Sequence, residues 1–211
     1  VSTLLDAPWT MANSATAGVY GATRPAGTAF TKVDLDRTQR AGLLTSAAFL
    51  ASHAGSNESL PVVRGAMVRR HVLCTDIEVP PGIMVTSPVP DPNVSTREQF
   101  KQHSAEPGCA GCHALMDPIG FGLENYDAIG KWRTTERNNL RIDASGSLDD
   151  AGDATGKFVG GAELGQKLAK STVARDCVAR QLFSFMNARH YDEDADACAL
   201  SYVEKKFAEA N

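Results

Sequence analysis

The sequence predicts a mainly α protein with two helical parts, residues 1–78 and residues 95–211, joined by a linker at residues 79–94. Apolar residues recur at helical spacing along both parts, and strand-like alternation is rare. The linker contains five prolines and one glycine, a composition typical of an extended spacer. The chain has 211 residues, 43% of them hydrophobic, which is enough for a sizeable core.

The composition argues against two classes of partner. The formal net charge is −4, and the sequence contains no basic cluster of the kind that would predict a nucleic-acid partner. The longest apolar runs, such as residues 47–51, are too short to cross a bilayer, so we expect no membrane span. The chain shows no leader sequence, and we expect it to be a processed piece of a longer exported protein.

The N-terminal part contains three predicted helices and one short strand. Pro8 and Gly21 bound the first predicted helix at 8–20, and residues 30–35 alternate like a strand. A second helix begins near Asp34 or Asp36 and runs to Leu50. A third begins at Pro61 and runs through Val72, with its polar side predicted at Arg64, Arg69, Arg70 and His71.

The C-terminal part begins with a capping box, residues 95–98, which predicts a helix carrying Phe100 and His103 that Pro107 ends. Residues 116–133 predict a turn followed by one or two helical turns. Residues 140–143 predict a possible short strand. Three helices are then predicted, at residues 162–169, 173–187 and 194–210. In the second of them Cys177, Val178, Leu182, Phe185 and Met186 are expected to face inward.

Residues 109–113, Cys-Ala-Gly-Cys-His, have the C-x-x-C-H form that attaches haem covalently. Two thiols at this spacing can add to the two vinyl groups on one edge of a porphyrin. The imidazole of His113 then lies where it can bind the iron. The sequence therefore predicts one covalent haem c, held by Cys109 and Cys112, with His113 as the proximal axial ligand.

The alternatives for these two cysteines are a structural zinc site and a redox-active dithiol. A structural zinc site needs a second Cys/His pair at ligand spacing, and the sequence shows none. A thioredoxin-like dithiol is typical of a βαβ pattern, which is also not visible.

The residues around this motif resemble a known family. Residues 109–113, 117–121, 123–130 and 132–133 are similar to a cytochrome c-type module of large exported proteins of planctomycetes and myxobacteria, most of which are domains of unknown function. The resemblance extends over most of the chain. It implies a cytochrome c-like haem domain at residues 95–211 but carries no established reaction.

The ligand on the opposite face of the iron has three candidates: His53 in a loop of small residues, His103, and Met186. Each also has a structural interpretation, as an exposed or hydrogen-bonded histidine or as a core methionine. Arg64, Trp132 and Arg133 are candidate partners of the haem propionates.

The chain has five cysteines, three of them outside the motif. We favour a Cys177–Cys198 disulfide, with Cys74 pairing to another segment or chain. The alternative is that all three cysteines are buried apolar side chains.

The sequence favours electron transfer, with a redox partner protein or an upstream domain of the same precursor, in the periplasm or outside the cell. The alternative is a haem enzyme or sensor that binds peroxide or a diatomic ligand at an open distal face.

Overall fold

The computed structural model describes residues 1–77, 91–104 and 107–210. The fold is mixed, with 49% helix, 12% strand and two small antiparallel sheets, so the prediction of a mainly α fold is wrong. The helices are α1 (Ser2–Asp6), α2 (Ala47–Ser52), α3 (Pro61–Val72), α4 (Thr96–Ser104), α5 (Pro107–Phe121), α6 (Gly160–Leu168), α7 (Thr172–Asn187) and α8 (Ala197–Glu209). The strands are β1 (Trp9–Ala12), β2 (Thr31–Asp34), β3 (Ser145–Leu148) and β4 (Gly156–Val159).

The first sheet replaces the helix predicted at 8–20. β1 pairs antiparallel with β2, with Trp9 opposite Asp34 and Ala12 opposite Thr31. Only Ala17–Tyr20 of the predicted helix is helical, as a single 3₁₀ turn. The strand predicted at 30–35 is confirmed as β2.

The second sheet was not predicted, because its strands have four residues each and are rich in glycine and serine. β3 pairs antiparallel with β4, with Ser145 opposite Val159. The possible strand at 140–143 forms no more than an isolated bridge between Arg141 and Thr135.

The helices with strong sequence signals are confirmed. α3 begins at Pro61, where the missing N–H of proline costs no hydrogen bond, and ends at Val72. Ser95 accepts a hydrogen bond from the backbone N–H of Glu98 at 3.2 Å, one half of the predicted capping box. The last three predicted helices correspond to α6, α7 and α8.

α3 and α5 pack antiparallel with their backbones in close contact. A Cβ atom at Gly65 would lie 1.9 Å from the carbonyl oxygen of Met116, and one at Gly120 would lie 1.9 Å from that of Pro61. Both positions therefore need glycine, since any side chain would force the two helices apart.

One hydrophobic core includes residues from both sides of the predicted linker. Leu44, Leu50 and Val68 belong to the same buried cluster as Ile119 and Leu123. Most of the linker lies outside the described residues, so the division at 79–94 stays a prediction.

Three arginines are buried in this core: Arg40, Arg64 and Arg69. Each donates hydrogen bonds to several backbone carbonyls, which take the place of water around the guanidinium, although the buried Nε atoms of Arg40 and Arg64 have no partner. The prediction that Arg64 and Arg69 lie on a polar side of α3 is therefore wrong, and the physical reason is this set of buried acceptors.

A disulfide joins Cys74, just after α3, to Cys177 in α7. The favoured Cys177–Cys198 pair is therefore wrong, and Cys198 is exposed on α8. The bond is consistent with an oxidising compartment. Within the described residues, no helix combines the length and the apolar character that crossing a lipid bilayer requires.

Candidate functional site

The C-x-x-C-H motif lies in the first two turns of α5. Cys109, Cys112 and His113 are spaced i, i+3 and i+4, so they project from one side of the helix. Both cysteines are half-buried and lie outside the disulfide, whereas His113 is buried. The helix thus places two half-buried cysteines next to a buried imidazole.

The helix is longer than the sequence predicts. It begins at Pro107, a residue suited to the first helical position, and it continues through Pro118 to Phe121. We expected a turn after Met116 because proline removes a helical hydrogen bond. Packing of Met116 and Gly120 against α3 holds the helix together across this position.

His113 has a carboxylate partner one helical turn further on. Its Nδ1 lies 2.9 Å from Oδ1 and 3.0 Å from Oδ2 of Asp117. Both side chains are at most 10% exposed. When Nδ1 carries the proton and donates to this carboxylate, Nε2 carries the lone pair with which an imidazole binds a metal ion.

These residues fit a covalently attached haem. The donor set is two thiols and an imidazole whose Nδ1 is held by a carboxylate, which is the arrangement a ligating histidine needs. Between the thiols, Gly111 faces open space, because a Cβ atom there would meet nothing within 4 Å. The fit of a haem at this site rests on the two thiols and the imidazole, which are the groups that would hold it.

The three distal candidates lie in different surroundings. His53 is half-buried at the end of α2, where its Nδ1 lies 2.7 Å from the carbonyl oxygen of Phe49. His103 lies on α4, and its side chain is outside the described residues. Met186 is 75% exposed on α7. The assignment of a distal ligand stays a prediction.

Met186 also corrects a prediction about α7. It and Phe185 were expected to face inward, but Phe185 is 83% exposed, so the inward-facing set is wrong at both positions. Leu182 is 40% exposed, so the prediction is wrong there too, whereas Cys177 is buried as predicted.

The candidate propionate partners gather near the opposite end of α5 from the two cysteines. Arg64 is fully buried, and its terminal nitrogens donate to the carbonyl oxygens of Leu50, Leu123, Tyr126 and Asp127. Burial lowers the pKa of Arg64 to about 10, so it keeps its charge at neutral pH. These contacts give Arg64 a structural role, and its role toward a propionate stays a prediction.

Trp132 and Arg133 belong to the same neighbourhood. Trp132 packs edge-on against Tyr126, with ring centroids 5.4 Å apart. The guanidinium of Arg133 pairs with Glu124 at 3.1 Å and donates to Ser59 Oγ at 2.9 Å. Along the helix axis, His113 and the end of α5 are about 12 Å apart. Trp132 and Arg133, which lie near that end, are therefore separated from the C-x-x-C-H motif.

Glu124 is a buried carboxylate that the sequence did not single out. Its Oε2 accepts hydrogen bonds from Ser59 and Arg133, while its Oε1 has no hydrogen-bond partner. Burial raises the pKa of Glu124, and the positive charges of Arg133 and Arg64 partly offset that rise.

A cavity of about 390 Å³ lies beside this group. Ser59, Arg133, Arg137, Thr96 and Phe100 are among the residues that line it. Its lining carries both signs of charge, since it includes Glu58 and Glu136 as well as the two arginines, and it does not include the C-x-x-C-H residues.

The sequence identified the two thiols and His113 but missed Asp117 as the partner of His113. The signal was present: a carboxylate four residues after a histidine on one helix is close enough to bond. We missed it because Pro118 suggested that the helix had ended. Among the described residues, no group of three or more His, Cys, Asp and Glu side chains is arranged to hold a metal ion.

Residues 40–136 match the family model PSCyt3, described as a protein of unknown function (DUF1588). The matched range is a little under half of the chain and contains α3, the C-x-x-C-H motif and Asp117. The resemblance to a family of unknown function is thus confirmed over this range, whereas a cytochrome c-type identity stays a proposal. No match is found among curated proteins or among solved structures.

Proposed function

We propose that this chain carries one covalent haem c on Cys109 and Cys112 and transfers single electrons. The observation that carries the proposal is the placement of both thiols and His113 on one side of α5, with both cysteines half-buried and the imidazole held by Asp117. A C-x-x-C-H sequence outside a helix, or with both thiols fully buried, would not support attachment in this way.

The two cysteines would perform the attachment chemistry. Each thiol adds across one vinyl group: a carbon–sulfur bond forms, the vinyl double bond becomes single, and the thiol hydrogen passes to the adjacent vinyl carbon. Atoms and electrons balance without an oxidant. His113 would hold the iron through Nε2, since its Nδ1 faces the Asp117 carboxylate.

When bound, the haem supplies a one-electron Fe(III)/Fe(II) couple. The surrounding chain would bind and shelter it on one side, because His113 and Met116 are buried on α5. A second redox protein, or an upstream domain of the same precursor, would donate the electron, and another carrier would accept it.

The chemistry proposed for the cysteines favours a location outside the cytoplasm. A disulfide between Cys74 and Cys177 favours an oxidising environment, and c-type haem is attached outside the cytoplasm. We therefore propose that the protein works in the periplasm or outside the cell.

The test is to produce the exported chain in a host with c-type haem maturation and to measure its intact mass and its pyridine haemochrome spectrum. We expect the added mass of one haem, which is retained under denaturing conditions. Cys109→Ala combined with Cys112→Ala should abolish it. Cys198→Ala, which removes an exposed thiol outside the motif, is the matched control and should retain it. A wild-type chain without the added mass, under conditions that mature a known c-type cytochrome, would overturn the proposal.

Carbon monoxide then tests electron transfer against an enzyme or sensor. An electron carrier with two axial ligands should bind CO slowly or not at all in the ferrous state. Rapid CO binding would contradict simple electron transfer and would favour the open-face alternative.

A further inference from the structure

His113 and Asp117 form a buried hydrogen-bonded pair on one helix. Nδ1 of His113 lies almost equally far from both carboxylate oxygens, at 2.9 Å and 3.0 Å. The two residues are four apart on one continuous helix, so the helix backbone itself sets their spacing. The side chains are 10% and 6% exposed.

Burial makes this contact stronger than a similar one at the surface. Water competes little for a hydrogen bond between side chains this inaccessible, and a lower local dielectric strengthens the attraction. A carboxylate that accepts the Nδ1 proton fixes the tautomer and ring orientation and makes Nε2 a better donor to a metal ion.

We propose that Asp117 is a positioning residue that acts through His113 and keeps the reduction potential of this protein low. This inference rests on the proposed haem attachment and deepens it. A negative charge separated from the iron by one imidazole stabilises ferric over ferrous haem, because the ferric form carries one more positive charge. Hydrogen bonding to an axial ligand is one of the means by which a protein tunes haem iron.

A low reduction potential limits which redox partners can exchange electrons with the protein. A low potential makes the ferrous form a stronger reductant, so the protein would accept electrons only from a donor of still lower potential. It would pass them readily to carriers of higher potential. Asp117 thus determines which class of redox partner the module can serve.

Asp117→Asn is the decisive variant. Asparagine keeps the size of the side chain, and its amide oxygen can still accept the Nδ1 proton, but the negative charge is lost. In an optically monitored redox titration of the haem-loaded protein, we expect the potential to rise. Each tenfold loss of preference for ferric over ferrous iron raises it by about 59 mV for a one-electron couple, and we expect at least one such tenfold change.

Two further variants serve as controls. Asp149→Asn removes an exposed carboxylate that accepts a hydrogen bond from Ser147 rather than from His113, and it should leave the potential unchanged. Asp117→Glu keeps the charge, and its potential should lie nearer to the wild type than that of Asp117→Asn. Equal potentials in the wild type, Asp117→Asn and Asp117→Glu would overturn the inference.

A second measurement needs only the wild type and keeps the test decisive if Asp117→Asn matures poorly. In protein labelled with ¹⁵N-histidine, the Nδ1–H resonance of His113 should exchange slowly with solvent because the carboxylate holds the proton. Fast exchange would contradict the inference. Failure of the haem proposal is distinguishable, since the wild type would then carry no added haem mass at all.

Discussion

The helix pair α3–α5 and the helix pair α7–α8 make contact in different ways. α3 and α5 approach backbone to backbone at Gly65 and Gly120, and Arg64 bonds buried carbonyls between distant segments. α7 and α8 meet through side chains, such as Arg180 and Glu204 at 2.6 Å, and Leu200 is the one fully buried residue described on α8.

The difference locates the rigid part of the molecule. Contacts through the backbone fix the separation of two helices within narrow limits, whereas contacts through long side chains can adjust. The C-x-x-C-H motif lies on the first kind of pair. A site that must hold a ligand in one geometry is best placed on such elements.

The largest expected effect comes from Arg64→Met. The substitution leaves three buried carbonyl oxygens and one partly buried carbonyl oxygen without the guanidinium that bonds them, and we expect the free energy of unfolding to fall by about 4 kcal/mol. Urea denaturation followed by circular dichroism measures this change. Arg70→Met, on the same helix but with a half-exposed side chain, should change stability by less than about 1 kcal/mol. Similar losses in both variants would contradict the contrast between buried and exposed arginines.

The disulfide connects the two helix pairs, and its removal should have the next largest effect. Cys74→Ser combined with Cys177→Ser opens a covalent loop with a sequence separation of 103 residues. The unfolded chain then gains conformational freedom, and we expect a loss of about 3 kcal/mol. Thermal unfolding measures it, with Cys198→Ser as the control. A large loss in the control would indicate that Cys198, rather than Cys74, pairs in solution.

Gly120→Ala tests the close approach of α3 and α5 directly. The added methyl group would collide with the carbonyl oxygen of Pro61, and we expect a loss of about 2 kcal/mol. Gly111→Ala, on the same helix and facing open space, should instead gain up to about 1 kcal/mol from helix propensity. Chemical denaturation of both variants measures the two changes in the free energy of unfolding, which should have opposite signs. A stable Gly120→Ala variant would show that the helices can move apart.

The smallest effect is expected at the α7–α8 contact. Arg180→Met removes ion pairs with Glu204 and Glu193, but these side chains are partly exposed, and we expect a loss of only about 0.5 kcal/mol. Raising the salt concentration should reduce the difference between this variant and the wild type, since salt screens exposed charges. A loss as large as that of Arg64→Met would mean that both helix pairs are equally rigid.

Local signals in the sequence predicted much of the secondary structure. Pro61 and the apolar spacing after it predicted both ends of α3, and the capping box predicted the start of α4. The buried arginines could not be predicted in this way. A periodicity argument counts Arg64 as polar, and its burial depends on carbonyls from residues 50 and 123–127, which only the folded chain brings together.

The same reasoning explains the errors in the cysteine pairing and in the extent of α5. Sequence proximity favoured Cys198 as the partner of Cys177, but the fold brings Cys74 next to it from 103 residues away. For the candidate site, spacing alone identified Cys109, Cys112 and His113. Asp117 required the knowledge that α5 continues through Pro118, which depends on packing against α3.

The Cys74–Cys177 bond also determines how the protein would respond to proteolysis. Any single cut between these two residues divides the chain into pieces that the bond still holds together. Such a nicked molecule would migrate as one band on a gel without reducing agent and as two bands with it. The shared core of Val68 and Ile119 would give the pieces a second, non-covalent reason to stay assembled.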